Sequence, residues 1–319
     1  MTDSLPQLPI AFYHLHFVAG TDGVINEDPR GLWHGVFGRA LRELSCMRPG
    51  FDCIDCDLLF DCPYSKLFSA PRPPATELMR RYTTVPVPHI FHVPPEHPRA
   101  FLEGQALDLG LVLVGAANAS CGLIIQAMAE AGSAGLGAGR LPLWLQQVEQ
   151  HVPGRGEPWL LAARGEIYTA QAPAMPALPP APERVRVQFL TAYKASGKPP
   201  GTQAGGHPVD VERLLMAIVR RISLLQYFYT GQRLEAAFDQ LKLAAQRVMV
   251  LSCRMQRQRA ARYAAGHGRQ IDHSGLIGEI ELDLRGCEAL WPYLHLGQWL
   301  NVGKSASMGF GDFAVDAPA

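Results

Sequence analysis

Residues 301–316 read NVGKSASMGFGDFAVD, and how this stretch is read decides the fold. Gly303-Lys304-Ser305 has the ending of a nucleotide-binding P-loop, which would open a helix of a parallel α/β domain. That motif needs a glycine at position 298, where Gln298 stands, and Gly297 has the wrong spacing. Only 16 residues follow Gly303, and they pattern as a strand. The stretch is therefore a glycine-rich turn running into a final strand.

Upstream of it, CEALWPYLHLGQWL (287–300) predicts a short helix and GLIGEIELDL (275–284) a strand. VERLLMAIVRRISLLQYFY (211–229) has the apolar period of a long amphipathic helix, and RVRVQFLTAY (184–193) alternates as a strand. The first half has the same order. IAFYHLHFV (10–18) alternates, and GLWHGVFGRALREL (31–44) is apolar at 32, 33, 36, 37, 40, 41 and 44, a helical period. LDLGLVLVG (107–115) reads as a buried strand and CGLIIQAMAEAG (121–132) as a helix ending on glycine. GSAGLGAGR (132–140) is a glycine-rich turn into the strand LPLWLQQV. Strand, helix, strand, helix, glycine-rich turn, strand thus occurs twice. Element order alone supports an α+β chain; its βαββαβ logic is that of two tandem ferredoxin-like, RRM-like domains carrying glycine-rich loops.

Residues 170–184, AQAPAMPALPPAPER, hold five prolines and predict a stiff linker or long surface loop. The expected division is 1–169, then the linker 170–184, then 185–319. Hydrophobic residues make up 48% and charged residues 18%, so two sizeable cores can form and disorder is excluded. The formal net charge is zero, so any nucleic-acid reading must rest on local basic stretches. The N-terminal MTDSLPQLPI lacks a basic, apolar leader pattern. The apolar run from Leu107 to Ala119 is too short for the roughly 20 residues of a membrane span. A soluble, cytoplasmic protein without membrane contact is expected.

Four of the seven cysteines, Cys46, Cys53, Cys56 and Cys62, crowd into 17 residues. A C-x-x-C pair with two flanking cysteines can offer four thiolates to a structural zinc ion or an iron–sulfur cluster. The alternative is a set of free, partly buried thiols. Between 247 and 274 six arginines, at 247, 254, 257, 259, 262 and 269, face one aspartate. Such a run is ordinarily a solvated helix face. Acidic partners at helical spacing are nearly absent, which favours contact of Arg254, Arg257, Arg259, Arg262 and Arg269 with RNA. Arginine suits RNA because its planar fork pairs with phosphates and stacks on unpaired bases. Tyr263 could add a stacking surface, with His267 and His273 nearby. In the C-terminal loop, Gly303, Gly309 and Gly311 let the backbone approach a phosphate, and Lys304, Ser305 and Ser307 offer it donors.

Leu296 to Ser305 (LGQWLNVGKS) through Gly309-Phe310-Gly311 resembles the C-terminal signature of the CRISPR pre-crRNA-processing RAMP endoribonucleases. There a "lGe.lhvGk" stretch runs into a "fGlG" turn. Gly275 to Gly278 resembles the family's G-x-x-G entry to a strand, and Arg220-Arg221 its doubly basic helix. Gly31 to Leu41 resembles the "lrGafGhaLr" helix, with Arg39 standing where that pattern has a histidine. Cys46 through Phe68 resembles the cysteine insert of some members, and Gly132 to Arg140 the glycine loop of the first domain.

The resemblance implies cleavage of CRISPR repeat RNA without a catalytic metal or other cofactor. The RNA's own 2′-hydroxyl attacks the adjacent phosphate, leaving a 2′,3′-cyclic phosphate and a 5′-hydroxyl. That chemistry needs a base, an acid and a cation. His34 is the expected base, near the start of its helix, where the dipole would keep it neutral, with Tyr13 or Arg39 assisting. His14 and His16 share one strand face and read as a pair at a sheet surface. His89 and His92 read as structural. The alternatives are a catalytically inactive subunit that holds crRNA, and a metal-stabilised interaction subunit. Other CRISPR effector subunits are expected partners.

Overall fold

The computed structural model describes residues 5–50, 52–195, 208–258, 261–263, 270–272 and 274–317. The chain forms two compact units. One comprises Leu8–Met175 with Phe228–Gly231, the other Met1–Gln7, Pro176–Tyr227 and Gln232–Ala319.

The N-terminal unit starts with β1 (Ile10–Ala19), β2 (Gly23–Val24) and α1 (Pro29–Ser45). Strands β3 (His89–His92), β4 (Ala100–Phe101) and β5 (Ala106–Val114) follow. Helix α2 (Cys121–Ser133) leads to β6 (Leu143–His151), β7 (Trp159–Ala163) and β8 (Glu166–Ile167). The sheet runs β3-β5-β1-β6-β7-β8 with every pair antiparallel. Its first four strands have the ferredoxin-like order, and β7 and β8 extend one edge.

Alternation along β1 explains the packing. Ala11, Tyr13, Leu15, Phe17 and Ala19 point into the core, while Phe12, His14, His16 and Val18 stand on the other face. The helices cover the inner face with Trp33, Phe37 and Leu41 from α1 and Ile124, Ile125 and Met128 from α2. Each such buried side chain contributes roughly 1.5–3 kcal/mol of burial. Asp28 caps α1, accepting a hydrogen bond from the Arg30 amide at 2.9 Å, with Pro29 in the first turn.

The C-terminal unit holds β9 (Arg184–Tyr193), α3 (Val211–Thr230), α4 (Phe238–Arg247) and β10 (Met249–Gln258). A short hairpin of β11 (Ala261–Tyr263) and β12 (Gln270–Asp272) precedes β13 (Gly275–Asp283), α5 (Trp291–Gly297) and β14 (Phe313–Asp316). The sheet runs β10-β13-β9-β14, again the ferredoxin-like order. Val185, Val187 and Phe189 of β9 and Ile280 and Leu282 of β13 supply its inner face.

Two strands escape the sequence pattern, the second of each half. β3 is four residues long among prolines, and β10 lies under the arginines. The arginine stretch is therefore not a helix face. Residues 249–258 form an edge strand paired with β13 from Met249↔Asp283 to Gln258↔Gly275. The Pro-rich segment has no regular element but is tied down, by an isolated bridge of Ala174 to Ile10 and by Trp291 Nε1 donating to the Pro179 carbonyl at 2.8 Å. No helix among the described residues is long and apolar enough to cross a membrane.

Candidate nucleic-acid interface

The loop between α5 and β14 is built by a lattice of buried bonds. Thr191 Oγ1 donates to the Gly309 carbonyl at 2.8 Å and accepts from the Asp312 amide at 2.9 Å. The Gly311 amide reaches the Ala192 carbonyl at 3.1 Å, and the Lys304 amide reaches the Lys194 carbonyl at 2.9 Å. Arg221 of α3 donates through Nε to the Leu300 carbonyl at 2.7 Å, holding the entry to the loop. Gly303, Gly309 and Gly311 adopt positive φ of 94°, 97° and 64°. A Cβ on Gly311 would run into the Val302 carbonyl, so only glycine closes this turn.

The loop's outer surface is basic and polar. Lys304 and Ser305 are exposed and Ser307 is half-buried. Lys304 makes no ion pair among the described residues. The Lys194 ammonium sits 4.0 Å from the centre of the Phe310 ring.

Strand geometry splits the arginines. Residues three apart in a strand point to opposite faces, so Arg254 and Arg257 do not share a surface. Arg254 is opposite Glu279 in the register and pairs with it at 3.2 Å. That acidic partner lies 25 residues away, outside any helical spacing. Arg257 is exposed and makes no ion pair among the described residues. Arg262 falls on β11. Arg259, Arg269, His267 and His273 lie outside the described residues, and Tyr263 ends β11.

The N-terminal unit separates the three expected catalytic residues. His34 packs among aromatic rings, with centroids 4.6 Å from Phe68, 5.6 Å from His89 and 6.4 Å from Phe91. Burial pushes its pKa down to about 4. The helix dipole, expected to lower it, does not reach so far. Because α1 begins at Pro29, His34 sits in the second turn, where the dipole has faded. Desolvation is the cause instead.

Arg39 is exposed, five residues on and about 140° around the helix from His34. Tyr13 is in the core, 1% exposed. Its hydroxyl donates to Asn118 Oδ1 at 2.8 Å and accepts from Gln150 Nε2 at 3.3 Å. Burial raises its pKa far above the usual phenol range. Tyr13 therefore holds β1 to β6 and to the turn that precedes α2, with its hydroxyl bonded inside the core. His89 is fully buried, bonding the Leu67 carbonyl at 2.8 Å. His14 and His16 do stand together on the outward sheet face, with ring centroids 4.9 Å apart.

Cys46, Cys53, Cys56 and Cys62 line one small cavity with Arg42 and Tyr64, and all are free thiols. Four thiols around one cavity suit a thiophilic ion. Among the described residues, however, only His14, His16 and Glu149 bring three ligand atoms within 4.8 Å of one another. The sulfurs stand wider apart than a closed metal site.

Two antiparallel sheets of ferredoxin-like order, each with a glycine-rich turn before its last core strand, make this a protein of two tandem ferredoxin-like domains. An N-terminal domain family model matches residues 8–177, and the model of the CRISPR-associated endoribonuclease Cas6 matches residues 187–313. The match over residues 187–313 supports a CRISPR pre-crRNA-processing, RAMP-type protein.

Solved structures agree in fold. A Cas6 product complex is 20% identical with a TM-score of 0.54, covering 97% of this chain and 99% of that one. Thermus thermophilus Cas6 is 16% identical with a TM-score of 0.53, covering 97% and 99%. A partial Cas6-RT-Cas1–Cas2 complex is 11% identical with a TM-score of 0.56, covering 98% of this chain and 47% of that one. No curated protein matches the chain.

Proposed function

We propose that this chain binds CRISPR repeat RNA and cuts it by attack of the RNA's 2′-hydroxyl on the adjacent phosphate, with no metal in the reaction. The 2′-oxygen loses its proton to a base, the P–O5′ bond breaks, and the departing 5′-oxygen takes a proton. The products are a 2′,3′-cyclic phosphate and a 5′-hydroxyl. The observation that carries the reading is the loop Gly303–Gly311, a glycine-closed surface whose exposed Lys304 makes no ion pair among the described residues, within the region matched by the Cas6 family model. Lys304, Ser305, Ser307 and the glycines bind phosphate, Arg257, Arg259, Arg262 and Arg269 extend the contact, and Arg254, on the opposite strand face and paired with Glu279, adds less.

His34 is the base. It is neutral at pH 7 and makes no hydrogen bond to another described residue. An approaching phosphate would raise its proton affinity toward the useful range. A second reading is favoured by Arg39, at the family's histidine position, and by the low proton affinity of His34: an inactive subunit that only holds crRNA. Tag-free protein incubated in EDTA with end-labelled repeat RNA separates the two. A single cut leaving a cyclic phosphate, lost in His34→Ala, supports the nuclease; tight binding without a cut supports the holder.

Two lesser readings belong with this one. The cysteine insert would take a structural zinc ion or iron–sulfur cluster on Cys46, Cys53, Cys56 and Cys62, so bound metal should fall when these become serine. A cytoplasmic protein joining other CRISPR effector subunits fits a relative found in a Cas6-RT-Cas1–Cas2 complex. Co-purification of such subunits with the tagged chain tests that.

A further inference from the structure

The outward face of the N-terminal sheet carries a group of side chains to which the proposed cleavage assigns no role. Phe12, His14 and His16 alternate outward on β1. The register sets Glu149 of β6 opposite His14, His151 of β6 opposite Phe12, and Asp108 of β5 opposite His16. Three strands distant in sequence thus bring three imidazoles and two carboxylates to one patch.

The distances within the patch are specific. His16 Nδ1 lies 2.7 Å from Asp108 Oδ1, a short hydrogen bond. A carboxylate can only accept, so Nδ1 carries the proton and orients the ring. This aims His16 Nε2 at Glu149 Oε2, 3.7 Å away. His151 Nε2 approaches the same oxygen at 3.8 Å. Both separations are too long for a hydrogen bond. Both Nε2 atoms are shielded from solvent and have no hydrogen-bond partner among the described residues. The ligand atoms of His14, His16 and Glu149 lie within 4.8 Å of one another.

Lone pairs on imidazole nitrogen and carboxylate oxygen repel unless a cation stands between them. A proton on Nε2 would leave an ion pair at 3.7 Å with no bond between the two atoms, whereas a metal ion bonds both at once. A metal ion bound at about 2.0–2.2 Å to nitrogen and oxygen sets such atoms about 3.4 Å apart in a tetrahedral site. We infer that His14, His16 and Glu149 form a binding site for a zinc-class divalent cation, with His151 beside Glu149 and Asp108 orienting His16. A carboxylate behind a ligating histidine is the usual outer partner in such sites. Imidazole and carboxylate ligands select zinc, cobalt, nickel or copper over calcium or magnesium. The bound ion would staple β1 to β6, separately from the cysteine insert and from the RNA-binding loop.

The test uses the full-length, tag-free chain with Cys46, Cys53, Cys56 and Cys62 all changed to serine, titrated with cobalt(II). Expected are one saturable equivalent, visible ligand-field bands without thiolate charge-transfer absorption, and displacement by zinc. His16→Asn and Glu149→Gln should each weaken binding at least tenfold, and Asp108→Asn by about tenfold or more. Metal-free melting curves of these variants control for folding. If the serine variant does not fold, zinc stoichiometry of the native-cysteine chain should drop by one equivalent in Glu149→Gln. Absence of saturable cobalt binding, or affinity indifferent to both His16→Asn and Glu149→Gln, overturns the site.

Discussion

The two glycine-rich turns occupy the same place in their units, between the second helix and the last core strand, yet their surfaces differ. In the N-terminal turn Gly135 and Gly137 have φ of 88° and 72°, and Leu136 bridges Leu141. The Ala138 amide there donates to Glu27 Oε1 at 2.9 Å. A carboxylate of the chain itself fills the position an anion would take. In the C-terminal turn no carboxylate reaches the loop's outer amides among the described residues, and Lys304 stands exposed beside them. One backbone solution therefore serves two ends: internal closure in one unit and an anion-accepting surface in the other. Both turns carry an exposed basic residue, Arg140 and Lys304, and what separates them is the carboxylate of Glu27 on the N-terminal turn's amide.

The largest expected effect comes from removing the conformational freedom of each turn. Gly311→Ala puts a Cβ against the Val302 carbonyl at φ 64°, and Gly135→Ala puts one against the Arg140 carbonyl at φ 88°. Each should cost about 1–3 kcal/mol in urea denaturation. Gly311→Ala should also weaken repeat-RNA binding more than a hundredfold, and Gly135→Ala less than threefold. Equal losses of affinity would break the comparison.

His34→Ala should lower the cleavage rate by roughly 10²–10⁴-fold while leaving the affinity within twofold. A rate unchanged in quantitative product assays would remove His34 from the chemistry. The same residue predicts a pH effect on stability. Its folded pKa of about 4 lies below the ordinary 6.5, so the unfolded chain binds more protons between these values. Stability should fall as pH drops from about 6.5 toward 4. His34→Phe should flatten that slope in denaturation curves measured at each pH.

Smaller effects should follow charge. Lys304→Ala and Arg257→Ala should each reduce the log–log salt slope of RNA binding by about 0.7–1. Arg254→Ala should reduce it less, because Glu279 already neutralises that arginine. Smallest of all, Glu27→Gln should cost about 1 kcal/mol of stability and leave RNA affinity unchanged. A gain in affinity would show that the N-terminal turn also accepts phosphate once its own carboxylate is gone.

Much of the frame was legible because its signals are local. The alternation of residues 10–18 and 184–193, the helical period of 31–44 and 211–229, and the glycine turns all appear as the expected elements. The site was less legible. Arg254 and Arg257 read as one basic run, but in a strand they face opposite ways. Tyr13 looked like a helper beside the first helix, and its odd place in the alternation of β1 buries it with Asn118 and Gln150. His14 and His16 were visible as a pair on one face, but Asp108, Glu149 and His151 were not visible as their neighbours. The signal was the alternation in 106–114 and 143–151, usable only with the register in hand.

The amino-acid sequence by itself determined the two α+β repeats and the turn at 303–311, because periodicity and glycine act over a few residues of backbone. Only the tertiary structure decided that 249–258 is an edge strand, that Glu279 answers Arg254, and that Glu27 closes one turn while nothing acidic among the described residues closes the other. Strand register is a long-range choice, made by which apolar faces can be buried together. A slip of one residue moves every side chain to the opposite face, so no local pattern could carry that information.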